Sequence, residues 1–566
     1  VVVLCVFLGG CSFTWDREDR QKLDPGVPGV PAALAKSAAY RDTIGAYTFY
    51  EGMRQMRVRG YGVVVGLGEN GSATCPKPIR EKLVQSLYKQ HNFVSPVVGA
   101  KSITPEQLLR DVDTTVVLVE GAIPAGAVAG SHFNLRVRAL PGTETKSLRG
   151  GRLYTTELRI YRAVSADAVI TGKVLAEGAG PLFMNPFSGD SAATRANPLE
   201  GLVVGGGVVK ESRKVHLVLT TPSYSRAKQI QDRINTEFAG ASKVADAISP
   251  SFVEIRIPPE HRDDTTHFLG RLRTTLLSRS PAFVATRVRM LGLEMLQPNA
   301  PHALIASCFE GLGRDALPEL SKLYAHSQDY VSFFSAAAGL RLGDYLAVDA
   351  MNLHAEDPDS QYRLRAIRAL GLAKGMSSAA MTLRRLLDDE DPRIQVAAYE
   401  ALLKRDDPTI ESYLVGSDNF RIDVIPTTHE PFIYAKRSDA RRVALFGQAV
   451  SCTTPVFYRA PDGSFTVNAI ENDDHLTIIR VTPYGEVSPP IPAPLALDEL
   501  LKLMGGDAGV EGDKVTGLSL DYGAVVRAVY HLCKDKVIAA DFVLEQPSAL
   551  ELFGPARKAG RPETDL

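Results

Sequence analysis

Cysteine is scarce in this chain: six in 566 residues, at positions 5, 11, 75, 308, 452 and 533. None falls in a CxxC pair, so neither a zinc site nor a disulfide framework is indicated. An oxidising compartment would still allow a pair to form, and the spacing does not choose which. Net charge is missing too. Lys and Arg total 64 against 65 Asp and Glu, which removes the electrostatic case for nucleic acid, since that requires a basic stripe or domain. The apolar run at the N-terminus, VVVLCVFLGG, is about half of the ~20 residues that span a bilayer. Catalytic signatures are absent as well: there is no GxSxG, no HExxH and no P-loop. We expect no enzyme, no cofactor and no metal.

What is present is ordinary globular composition, 45% hydrophobic and 23% charged, in a chain long enough for three or four domains. The first half centres on residues 127–161. Phe133, Leu135 and Val137 alternate with Asn134, Arg136 and Arg138, the period of a strand buried on one face. Pro141, Gly142, Gly150 and Gly151 then mark a turn or ordered loop, with Lys146 and Arg149 at its tip. A second alternating run follows through Leu153, Thr155, Leu158 and Ile160. Two strands bracketing a polar, glycine-bearing loop are expected.

These residues resemble the core of the flagellar P-ring family, in which two strands flank a loop of the form D-A-x-S-L-x-G-G. This chain has Lys146, Ser147, Leu148, Arg149, Gly150 and Gly151 at that place. Gly60 to Leu67, GYGVVVGL, is similar to the family's V-G-Y-G-L-V-V-G-L, and Val116 to Gly130 to its strand followed by a proline-glycine turn. The resemblance covers roughly residues 40–280 and implies export to a periplasm. It also implies a structural part without catalysis, one of many copies forming a ring in the peptidoglycan layer around the flagellar rod.

Leu8-Gly9-Gly10-Cys11 resembles the lipobox of bacterial lipoproteins, with Cys11 as the lipid-attachment residue. The polar WDREDRQK and the stiff PGVPGVP after it suit a tether, and Ser12 favours the outer membrane. An initiator methionine and a basic n-region are not seen before it. Gly66, Gly68 and Gly71 spell GxGxxG after an apolar strand, but Pro76 and Pro78 block the helix that a dinucleotide site needs. His261 and His267 with Glu260, Asp263 and Asp264 suggest metal ligands less than they suggest acids at a helix N-terminus.

A helix is expected from Ile79 to His91, and a short one over 105–111 capped by Thr104. Strand, helix, strand, helix follow between Val215 and Leu276, the clearest α/β signal. Beyond Pro298, Gly311-Leu312, Gly339-Leu340, Ala369-Leu370 and Ala401-Leu402 recur at spacings of 28, 30 and 32 residues in alanine-rich segments. Such a period resembles roughly four HEAT-type repeats, a solenoid in which each repeat buries its face against the next. Pro408 to Pro431 is read as a connector. Strands are expected at 443–446, 456–458, 465–470 and 476–481, a helix at 495–503, and closing strands at 525–532 and 537–544.

The expected fold class is multidomain α+β: a mixed α/β P-ring-like core, an all-α HEAT-like solenoid and a β-rich C-terminal domain. The boundaries are 1–11 signal segment, 12–39 linker, 40–298 core, 299–412 repeats, 413–548 β-rich domain and 549–566 tail. From Arg136 to Arg162 seven basic residues (136, 138, 146, 149, 152, 159 and 162) face only Glu144 and Glu157. That local excess makes the loop over 143–151 the candidate assembly surface. The expected partners are further copies in a homo-oligomeric ring, rod or L-ring proteins, peptidoglycan, an unknown protein on the repeats and the outer membrane. The alternative is a non-flagellar envelope lipoprotein that uses the same core as a scaffold.

Overall fold

A computed structural model describes residues 40–89, 104–160, 163–165, 168–169, 172–184, 197–238, 240, 242–417, 419–437, 440–461, 463–481, 486–511 and 514–545. Cys11, the 12–39 linker and the 549–566 tail lie outside the described residues.

The segment that anchors the first half is a closed barrel. Its strands run in the order Met56–Val65, Thr115–Ile123, His132–Ala139, Glu200–Val209, Val174–Pro181 and Arg152–Ile160, closing back on the first. Every neighbouring pair is antiparallel. Phe133, Leu135, Val137, Leu153 and Leu158 point inward among Val58, Val64, Val117 and Val119, as the period-two pattern requires. The two strands that bracket the glycine loop are not neighbours. They stand on opposite walls of the barrel, so the loop between them crosses its end.

Beside the barrel, Thr48–Glu51, Val215–Leu219, Phe252–Ile255 and Ala245–Ala247 form a second sheet in that order. The helix Tyr224–Phe238 returns the chain to Ala245–Ala247, and Phe252–Ile255 then inserts antiparallel between that strand and Val215–Leu219. The expected α/β alternation is present with one added strand, 245–247, that had no sequence signal of its own, and each adjacent pair is antiparallel. Ile230 and Ile234 of that helix, with Phe268 and Leu272 of Thr265–Thr274, bury the sheet face.

The helical array is two layers deep. Pro281–Met295, Leu317–Leu323, Leu346–Glu356 and Ser377–Arg385 form one layer; His302–Leu312, Asp329–Arg341, Arg363–Leu370 and Pro392–Arg405 form the other. Three of the four recurring Gly/Ala positions face close approaches in the second layer. A Cβ at Gly339 would lie 2.0 Å from the Tyr324 hydroxyl, one at Gly311 2.7 Å from the Thr274 carbonyl, and Ala401 lies against Gly371. The array begins at Pro281, ahead of the first recurring pair. His354 is buried and ties neighbouring turns through Ser332 Oγ at 3.1 Å and Ser360 Oγ at 3.3 Å.

In the C-terminal part, a five-stranded mixed sheet runs in the order Glu411–Val415, Phe420–Ile425, Arg442–Phe446, Phe432–Ala435, Asp541–Leu544. The expected connector over 408–431 therefore holds two strands. The first was invisible because it is an edge strand with only Val415 buried. Residues 525–532 are not a strand. They lie in the helix Tyr522–Lys534, capped by Asp521 Oδ1 accepting from the Ala524 amide at 3.0 Å. Val525, Val526, Val529 and Leu532 are buried along one side of it. A four-stranded antiparallel sheet of Val456–Arg459, Phe465–Ala469, Leu476–Arg480 and Ile491–Ala493, with the helix Leu497–Gly505, completes the domain.

The parts share cores. Ile425, Phe432, Tyr434 and Phe446 belong to the apolar cluster of the helical array. Phe183, Leu202 and Val204 of the barrel belong to that of the C-terminal domain. At the array's other end, the Thr274 hydroxyl donates to the Ser307 carbonyl at 2.8 Å, and Arg341 pairs with Asp264 at 2.5 Å. His267 meets Glu310 there at 2.5 Å.

Candidate assembly site at the barrel floor

The loop over 143–151 closes one end of the barrel because three neighbouring segments hold it, two through its backbone and one through a side chain. The Lys146 amide donates to the Asn70 carbonyl at 2.8 Å, and the Leu148 amide to the Pro198 carbonyl at 2.8 Å. The Glu144 amide reaches Ser72 Oγ at 3.2 Å, and the buried hydroxyls of Thr115 and Thr145 meet at 2.6 Å. Leu148 is wholly buried in the barrel core. Gly151 is buried beside it, where a Cβ would come within 2.4 Å of Val64 Cγ1 and 2.6 Å of Leu67 Cδ2. Gly150 has φ of 72° with open space around it, so its glycine serves backbone conformation.

Six consecutive candidates therefore divide by position. Lys146 and Gly150 are exposed, Ser147 and Arg149 half-buried, Leu148 and Gly151 buried. Leu148 and Gly151 hold the floor, and a partner can touch only the rest.

The basic excess read along the strand is partly cancelled by acids on other strands. Glu120, on the neighbouring strand, pairs with Arg138 and with Arg59, each at 2.5 Å. Arg136 pairs with Glu200, and Arg159 with Glu157 at 2.6 Å. Arg162 is outside the described residues. What reaches solvent as positive surface at this end is Lys146 with Arg152, both exposed, beside the half-buried Arg149.

The GxGxxG loop lies at the same end. Its Gly68 amide donates to Asp113 Oδ1 at 2.6 Å and its Gly66 amide to Asp113 Oδ2 at 3.3 Å. A carboxylate of the chain thus occupies the amides that a phosphate would need. Burial holds the Asp113 carboxyl above its ordinary range, against the lowering effect of those two amides. Among the described residues, no group of three or more His, Cys, Asp or Glu is placed to hold a metal. His261 stacks on Phe268 instead, with ring centroids 4.5 Å apart.

One feature had no sequence signal. A cleft of about 590 Å³ opens between the barrel and the C-terminal sheet, lined by Gly178, Gly180 and Gly205 on one wall and Phe420, Arg421 and Arg442 on the other. Its walls are more than two hundred residues apart in the chain, so no local pattern could join them. No helix among the described residues is long and apolar enough to cross a membrane.

Comparison with known proteins matches residues 44–284 to the family model described as flagellar P-ring protein, and residues 348–416 to that of HEAT repeats. A flagellar P-ring protein of a Bradyrhizobium species is 29% identical over 252 residues, covering 43% of this chain and 62% of that protein. The flagellar P-ring protein of Nitrobacter winogradskyi is 30% identical over 39% of this chain and 56% of its own length. That of Caulobacter vibrioides is 28% identical over 40% and 58%. The chain thus spans about three fifths of the length of the curated relatives it matches.

Proposed function

From a segment, 44–284, that matches the flagellar P-ring family, we propose that this chain is a structural component of a flagellar basal body, assembling around the rod in the periplasm. The observation that carries the reading is coincidence of boundaries: the matched segment holds the whole barrel and the whole second sheet, and ends at the first array helix. A ring needs a heterologous contact, in which one patch meets a different patch on the next copy. Lys146 and Arg149 at the barrel floor are our candidates for one side of it, facing an acidic neighbour, rod or peptidoglycan surface. In this reading Cys11 carries the acyl chains that hold the protein at the outer membrane. Intact mass of membrane-extracted protein tests that point, and cleavage elsewhere without acylation refutes it.

The repeats suit a partner-binding role outside the ring wall. Leu293, Tyr345, Leu346, Leu353 and Met381 are exposed large apolar residues, and all lie on or beside the layer of Pro281–Met295, Leu346–Glu356 and Ser377–Arg385. The second reading is a non-flagellar envelope scaffold. It is favoured by one contact: Phe183 at the barrel rim is already covered by Tyr522 of the C-terminal domain, ring centroids 5.8 Å apart.

Electron microscopy and light scattering of the full chain, with and without purified rod and cell wall, decide between them. Rings are expected, and Lys146→Glu with Arg149→Glu is expected to yield folded monomers. Lys146→Glu alone serves as the control, since Arg149 is half-buried. A chain that stays monomeric at high concentration with rod and wall present refutes the ring.

A further inference from the structure

We propose that Cys452 and Cys533 form a structural disulfide when this chain folds in an oxidising compartment. The inference takes from the proposed function only the export that it implies. Four cysteines, Cys75, Cys308, Cys452 and Cys533, are thiols in the structure. Cys75 lies beside Arg80 next to the barrel, and Cys308 lies in the array among Arg287, Glu294 and Glu310. Neither has another cysteine near it among those neighbours.

Cys452 and Cys533 are brought together by backbone register. Cys452 forms an antiparallel bridge with Ile538, and the Thr453 amide donates to the Val537 carbonyl at 2.8 Å. The amides of Val537 and Ile538 turn back onto the Leu532 carbonyl at 2.9 and 3.1 Å. That carbonyl is in the peptide unit that joins Leu532 to Cys533. Cys452 thus faces Ile538 across a bridge, Ile538 is one backbone hydrogen bond from the peptide unit of Cys533, and the two thiols lie close enough to act on each other electrostatically. Disulfides span about 4.4–6.8 Å between Cα atoms. Cys533 is in the last turn of its helix, the part of a helix that adjusts most easily. Both side chains pack into the same apolar core, Cys452 buried within it and Cys533 partly buried against it.

The chemistry is thiol–disulfide exchange with a disulfide-bearing donor. One cysteine attacks the donor to give a mixed disulfide, and the second displaces the donor. The two thiol protons and two electrons pass to the donor, whose disulfide bond breaks and which leaves as two thiols. Burial pushes both thiols up to about 12, so the folded pair holds almost no thiolate at neutral pH. The bond therefore forms before the helix Tyr522–Lys534 docks, and the core then shields it. The loop it closes, roughly 80 residues, takes in the whole four-stranded sheet and both helices.

The full chain, denatured and reduced, is refolded in a glutathione redox buffer, alkylated without reductant, and mapped by mass spectrometry. A peptide pair joining 452 to 533 is expected, about 2 Da lighter than its two thiol peptides together. The midpoint of melting should fall by roughly 5 °C on reduction, and not change on reduction in Cys452→Ser. Natively folded chain in which both cysteines remain alkylatable after oxidative refolding overturns the proposal. The same map on protein recovered from the cell envelope tests export separately. A linked pair in the refolded chain with thiols in the cellular one supports the disulfide and refutes export.

Discussion

Removing the carboxylate of Asp423 should cost more stability than any single exposed substitution in this chain. Asp423 is fully buried where the array meets the C-terminal sheet. Arg442 Nη1 donates to both of its oxygens at 2.8 Å, and the Tyr399 hydroxyl, from the last array helix, donates to it as well. In Asp423→Ala a mostly buried guanidinium keeps its charge without its partner, and a buried phenol loses its acceptor. Breaking such a pair by deleting one member costs about 3–5 kcal/mol. Tyr399→Phe removes one hydrogen bond to a charged group and should cost about 1.5–3 kcal/mol. Asp423→Leu with Arg442→Met replaces charge by apolar volume and should recover most of the loss. The assay is thermal melting, with hydrogen exchange of peptides from 392–405 and 420–446 to assign the transition to this junction. Asp423→Ala within about 1 kcal/mol of the parent, or a double variant worse than both single ones added, would refute the reasoning.

Three further outcomes are expected. Gly151→Val puts side-chain atoms into the space of Val64 and Leu67 and should destabilise the barrel by roughly 1–3 kcal/mol, read as a lowered melting point, while Lys146→Ala should change it by less than about 0.5 kcal/mol. His354 has its pKa lowered by burial, so the unfolded chain binds its proton more readily; the associated stability is complete above the ordinary imidazole value near ~6.5 and is lost as pH falls below it. His354→Gln should flatten that acid-side slope in denaturant titrations, and an unchanged slope would refute the assignment. Leu353→Asp with Met381→Asp should abolish capture of the array's partner in envelope pull-downs at unchanged circular dichroism, and undiminished capture would show that the partner binds elsewhere.

Local chemistry was readable where the residues that make an element also sit next to each other. Thr104 capped its short helix with a full capping box to Gln107, and Ser223 accepted from the Arg226 amide at 3.3 Å. The alternation of Phe133, Leu135 and Val137 and the small residues of the array were legible for the same reason. Misreadings came from context. Val525, Val526 and Val529 favour strands by propensity, yet Asp521 and their helical spacing prevailed. The basic strip was overcounted because Glu120 and Glu200 lie on other strands. Leu148 looked like part of an exposed loop, because nothing local says that its flanking strands stand on opposite barrel walls.

The array is held at both ends, by Arg341, Thr274 and His267 at one and by Tyr399 and its partners at the other. A stack of repeats fixed at a single end swings like an arm, whereas one gripped at two ends works as a brace. Stacked repeats touch only their neighbours, so strain at one turn passes along the stack. A load on Leu353 or Met381 is then delivered to the feet of the brace. A partner pulling there pulls on the second sheet and the C-terminal domain together, and through Phe183 and Tyr522 on the barrel rim.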